Sequence, residues 1–162
     1  REVDARNSDF SQCVFLMSEA DGATFEGSVI ENFRMVLSSF IGVKFGGSRM
    51  PGSNLRGAKL AGADFSGVNL RRSDLSTADL TGANLERALL VECLLMDTIL
   101  EDTKMEGANL MLAIMHRAIL RGADVSRANL FCADLTGAVG DKRTSFAGSN
   151  VKRALVAGVY HG

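Results

Sequence analysis

The sequence predicts an all-β fold, a parallel β-helix coiled as a square solenoid of about eight coils, and two observations carry that prediction. From Phe10 to Leu135, the residues whose numbers are divisible by five occupy 26 positions, and all but Ala20 are large and apolar. The residue two places earlier is small at 25 of the 26, Phe33 being the exception. A five-residue period fits neither the 3.6-residue repeat of a helix nor the two-residue repeat of a strand. It fits a chain that makes a quarter turn every five residues, with the large and the small residue pointing inward and the other three facing water. Four sides close a coil, and successive coils stack at the strand spacing of about 4.8 Å, giving a rod on the order of 38 Å long.

The clearest run, from Ala58 to Leu85, reads AKL-AG-ADF-SG-VNL-RR-SDL-ST-ADL-TG-ANL. Each repeat holds a large inward residue, two spacers, a small inward residue, and usually Asp or Asn. A short polar side chain before the large residue can bond local backbone at the corner, as in other turns. Gly at the second spacer, as at Gly62, Gly67 and Gly82, eases that corner. The run resembles the pentapeptide-repeat family, whose pattern is A(D/N)LXX, and the likeness spans roughly residues 8–156. It implies a right-handed quadrilateral β-helix and leaves function nearly open.

One domain accounts for residues 1–162. The opening residues 1–7 are polar and begin the first coil, and regular repeats run over about 8–135. Between Phe10 and Phe45 the pattern is degenerate, rich in Phe and Ser, and looser packing is expected there. Phe33 should either widen its coil or turn outward. Pro51, the only proline, falls on a corner spacer, where a missing N–H is tolerated. After Leu135 the register moves by one residue, to Phe146, Val151 and Val156, so residues 140–143 (GDKR) read as a bulging corner. Residues 144–162 make the final coil and cap, with Tyr160 as a lid. The family resemblance implies, alternatively, a homodimer formed through this last coil.

Cys13 and Cys93 share the small inward position of one side, four coils and roughly 19 Å apart, which is too far for a disulfide. They read as core residues, whereas Cys132 lies on an outward spacer as an accessible thiol. With no apolar run of membrane-span length and no signal-peptide pattern, a reducing, cytoplasmic setting is expected.

Catalysis requires convergent acids, bases or ligands, and the chain offers few. Its two histidines, His116 and His161, lack the spacing of a zinc site, and the convex sides of a rod provide no cleft. No enzyme activity, metal or cofactor is expected. The net charge of −1 leaves no dense acidic stripe of the kind that DNA mimicry needs, and Arg49, Arg71, Arg72, Lys152 and Arg153 make one side only mildly basic. No direct contact with nucleic acid or membrane is expected.

The informative departure is apolar. Between residues 89 and 119, the position usually held by Asp or Asn reads Leu89, Leu94, Ile99, Lys104, Asn109, Ile114 and Ile119. Neighbouring spacers add Val91, Met111 and Phe131 in one column beside Leu112, with Met96 stacked on His116 and Arg117 at the rim. Together they predict an exposed apolar strip with charged edges, the composition of a protein-binding surface. A second cluster, Val14, Leu16, Met17, Val36, Leu37 and Ile41, lies near the N-terminal end. The expected function is that of a non-enzymatic, protein-binding solenoid. Within the family, the degenerate start, Met-rich middle and late slip resemble type VI secretion immunity proteins, which implies a toxin, possibly a nuclease, as the partner to be neutralised. The family also implies an alternative, DNA-mimic protection or inhibition of gyrase, and behind it a structural or assembly scaffold.

Overall fold

The repeat 74–78 accounts for all five of its backbone N–H groups, and so explains why the chain coils as it does. In the computed structural model, which describes residues 3–157 and the backbone of Tyr160–His161, Asp74 N–H donates to Ser53 O in the preceding coil (2.9 Å). Leu75 and Thr77 donate to Leu94 O and Met96 O in the following one (both 2.8 Å). Ala78 N–H closes the turn on Leu75 O (3.1 Å). The fifth, on Ser76, is taken by the Asp74 carboxylate (2.9 Å). The same Asx arrangement recurs at Asp64, Asp79, Asn84, Asn109, Asp124 and Asn129. No N–H of such a repeat is left for an α-helix, and none of the described residues is helical.

The coils stack in parallel with each residue beside the one twenty positions later, from Asp4↔Thr24 to Ile119↔Val139. Two sides extend beyond single bridges: β1 (Val14–Leu16) pairs with β2 (Arg34–Val36), and β3 (Val139–Gly140) with β4 (Tyr160–His161). From Asp124↔Ser145 onward the step is twenty-one. The extra residue sits in the corner at 140–143, where it is held firmly. Asp141 accepts the N–H groups of Gly122 (2.9 Å) and Arg143 (3.0 Å), while Arg143 reaches two coils back to Asp102 (2.7 Å). The Gly122 bond first, then Arg143, pulls the Asp141 carboxyl down to about 2. The side chain of Tyr160, expected as a lid, lies outside the described residues.

The core is a ladder one side chain thick. Leu55, Leu75, Leu95 and Met115 stack on one side, and Phe25, Phe45 and Phe65 on another, with ring centroids 5.3 and 5.0 Å apart. Several small polar inward residues donate to the carbonyl twenty-three positions earlier, Ser73 to Met50 O (3.0 Å), Thr98 to Leu75 O (2.9 Å) and Cys93 Sγ to Leu70 O (2.8 Å), whereas Thr103 donates to Leu100 O (2.8 Å). Burial pushes the Cys93 thiol up to about 12, so it is an inert packing group.

The degenerate first coils keep the same register, Asp9↔Val29 and Glu19↔Ser39 included. Phe33 turns inward and is fully buried, its ring 5.2 Å from that of Phe15. Ala20, the other departure from the pattern, lies in the adjoining coil and is half-buried.

From Asn7 to Gly137 every second spacer has a positive φ, and many of them are not glycine. Thr77, exposed and β-branched at φ 59°, is the least suited to that region. Thr77→Gly should stabilise the rod by about 0.5–1 kcal/mol, because relief of left-handed strain exceeds the greater unfolded-state freedom of glycine. Denaturant titration reads this directly, and a loss of stability would show that the corner is unstrained.

Candidate functional site

The strip follows from the stacking. Leu94 bridges Ile114, Ile99 bridges Ile119, and Leu89 bridges Asn109, which sets aliphatic residues in columns on adjacent sides. They do not project freely. Leu89, Leu94, Met96, Ile99, Met111, Ile114, Ile119 and Phe131 are half-buried, so the surface is a low apolar relief. Leu112 is 45% exposed. Val91 departs from the expected exposure: it is 4% exposed and forms the floor of a groove beside the strip.

The strip also lacks a device found elsewhere. Where Asp or Asn precedes the large residue, its side chain caps the N–H two residues on, typically a contribution of about 0.5–1.5 kcal/mol. Leu89, Leu94, Ile99, Ile114 and Ile119 have no such group, so the N–H groups of Val91, Met96, Glu101, His116 and Arg121 go without this cap. These five repeats present aliphatic surface where a cap would stand, interrupted by Lys104 and by Asn109, which caps the Met111 N–H (3.2 Å).

Charged groups line the edges, and most are already paired between stacked coils. Arg117 holds Asp97 through two bonds (2.7 and 2.6 Å), Arg72 meets Glu92 (2.9 Å), and Arg121 meets Glu101 (3.1 Å). The Arg117 hydrogen bonds lower the Asp97 pKa. His116 Nε2 lies 2.7 Å from Asp134 Oδ2, and Thr136 donates its hydroxyl to Oδ1 (2.6 Å). Thr136 first, then His116, brings the Asp134 carboxyl down to about 2. Arg153 sits 5.9 Å above the Phe131 ring. Cys132, expected to be accessible, is half-buried at a corner with φ 56°.

The N-terminal cluster is the more open of the two. Met17 is 80% exposed and Leu37 61%, both at positive φ, with Val14, Leu16 and Ile41 exposed around them. Sequence reasoning missed the groove of about 530 Å³ along the Pro51–Gly52 corner. Its signal is a column read at twenty-residue spacing, in which Pro51 and Gly52 interrupt a row of long side chains.

Among the described residues, no cluster of His, Cys, Asp or Glu is arranged to hold a metal ion, and no helix is long and apolar enough to cross a membrane. The sequence pattern described as Pentapeptide repeats matches eight copies over residues 38–76, 78–117 and 115–139. The chain belongs to the pentapeptide-repeat family. Its four-sided coil is therefore the right-handed quadrilateral β-helix of that family. Among solved structures it resembles HetL, a pentapeptide repeat protein involved in heterocyst differentiation regulation from the cyanobacterium Nostoc, at 21% identity over 96% of this chain and 90% of that one, with a TM-score of 0.42. It also resembles a pentapeptide repeat protein of the Arabidopsis thaliana thylakoid lumen, at 38% identity over 61% and 65%, with a TM-score of 0.37. QnrB1, a plasmid-mediated fluoroquinolone resistance protein, matches at 16% identity over 91% of each chain, with a TM-score of 0.47. No curated protein matches it.

Proposed function

We propose that this pentapeptide-repeat protein is a non-enzymatic rod that binds a protein partner through the strip Leu94, Met96, Met111, Leu112, Ile114 and Phe131. The observation that carries this reading is the set of five aliphatic side chains in two consecutive coils at the position usually held by Asp or Asn, with Leu94 stacked on Ile114 and Ile99 on Ile119. Aliphatic side chains gathered on adjacent sides of consecutive coils are what a contact surface entails. The apolar centre and paired charged rim suit a protein rather than a nucleic acid. The favoured partner is a secreted toxin that the rod neutralises by occlusion in the cytoplasm, in line with the resemblance to type VI immunity proteins. Gyrase inhibition by DNA mimicry finds less support, since the acids near the strip are taken up by Arg72, Arg117 and Arg121. The apolar end face, a hollow of about 320 Å³ lined by Leu120, Leu135, Phe146 and Val151, supports self-association through the final coil.

Ile114→Asn tests the contact surface. It restores a cap and should leave stability equal or slightly higher, while affinity for the partner falls at least about thirtyfold, the effect of losing a central anchor. Lys44→Glu, on the opposite side, should change affinity less than about threefold. Partner capture with the wild-type protein, followed by calorimetry on both variants, gives the answer. Unchanged binding by Ile114→Asn would place the contact elsewhere, and capture of gyrase rather than a toxin would reverse the choice of partner.

A further inference from the structure

The groove beside the strip has a chemistry of its own. It runs along a corner of the rod from Asn32 to Met111, four coil steps or about 19 Å, the length of roughly six residues of extended chain. Its notch is made by Pro51 and Gly52, which place no long side chain where the stacked positions carry Asn32 and Arg72. A Cβ at Gly52 would lie 2.6 Å from Asn32 Oδ1 at a φ of 67°, so a side chain there would have to displace Asn32 and adopt a left-handed backbone. Val91 and Met111 make the apolar floor.

Most N–H groups along the groove are already committed within the rod, the Val91 N–H being the exception. The second-spacer N–H groups of Asn32, Gly52, Arg72 and Glu92 donate to Pro51 O, Arg71 O, Val91 O and Met111 O (2.9–3.0 Å). Pro51 has no N–H, and the Arg71 N–H is bonded to Asn69 Oδ1 (3.2 Å). Recognition therefore rests mainly on side chains. Arg72 is neutralised by Glu92 (2.9 Å), so the unspent charge is Arg71, which is exposed and has no ion-pair partner among the described residues. Arg87, also without an ion-pair partner among the described residues, lies in a smaller hollow of about 180 Å³ beside Glu86, whose carboxylate repels an anion.

The geometry points to this groove as a docking site for an extended segment of a partner protein that carries a carboxylate side chain, held by the Arg71 guanidinium, with apolar neighbours seated on Val91 and Met111. A planar guanidinium matches one carboxylate through two parallel bonds. A polyanion such as a nucleic-acid backbone is a poor occupant, because Glu92 lines the same groove. The site deepens the protein-binding reading, lying next to the strip without sharing Ile114.

Amide NMR titration of the full chain with acetyl-Leu-Glu-Leu-Glu-Leu-amide, its Gln counterpart and inorganic phosphate tests it without any partner. Shifts should cluster at Gly52, Arg71, Arg72, Val91 and Glu92, with the Glu peptide at least about fivefold tighter than the Gln peptide. Arg71→Gln should remove that preference, Arg71→Lys should recover part of it, and Arg49→Gln should leave it intact. Equal binding of the two peptides, a preference that survives Arg71→Gln, phosphate binding as tight as the Glu peptide, or shifts spread over every arginine would each overturn the proposal. None of those results bears on Ile114→Asn, so the failure of one reading is distinguishable from failure of the other.

Discussion

Leu75→Asp should leave no folded protein to measure. Leu75 is fully buried, stacked between Leu55 and Leu95, in a core only one side chain thick. Its N–H and C=O are already committed, to Leu94 O and to the Ala78 N–H and Thr98 hydroxyl, so a carboxylate placed there meets no spare donor. An unpaired buried charge costs several kcal/mol even after it neutralises by taking up a proton, and a domain of this size has about 5–15 kcal/mol in all. Because each coil templates the next, the defect cannot be confined to one side. Circular dichroism should show loss of the cooperative transition, and a melt within two degrees of wild type would contradict the inward ladder.

Phe33→Ala presents the opposite intuition. It restores the small residue found at every other such position, and substitutions toward a consensus usually stabilise. Here the expected result is a loss of about 3–5 kcal/mol. The Phe33 ring is fully buried and packs 5.2 Å from Phe15, and Phe15 in turn lies 5.9 Å from Phe40, so truncation opens a hole in an aromatic cluster that cannot collapse around it. Thermal unfolding should move down by roughly 10 °C. A variant as stable as wild type would mean that the first coils repack freely.

Leu75 and Phe33 mark what is legible in a sequence of this kind and what is not. The inward place of Leu75 follows from period alone, since a chain that turns every five residues has no other use for so regular a large residue. The pairing of Leu94 with Ile114 follows from counting twenty. Phe33 is different, because whether a bulky residue widens a coil or fills it depends on volumes in the neighbouring coils, which no single position records. Val91 and Cys132 are harder for the same reason: exposure at a spacer is decided by the side chains stacked above and below it. The groove at Arg71 went unread because it is defined by what Pro51 and Gly52 lack, and apolar patterning does not register missing atoms.

The twenty-residue step gives the rod an angular phase as well as a length. Val14 and Leu94 stand in one column, linked through Arg34, Asn54 and Asp74, so the open N-terminal cluster and the strip look out in the same direction, four steps apart. Adding or removing one whole coil between them would shift their separation by about 4.8 Å and preserve that common bearing. Adding a single five-residue unit would instead swing one of them by a quarter turn, out of sight of anything bound to the other. Distance along such a molecule is thus adjustable in small increments only when its heading is kept, and a partner reaching both regions would read the chain as a ruler and a compass at once.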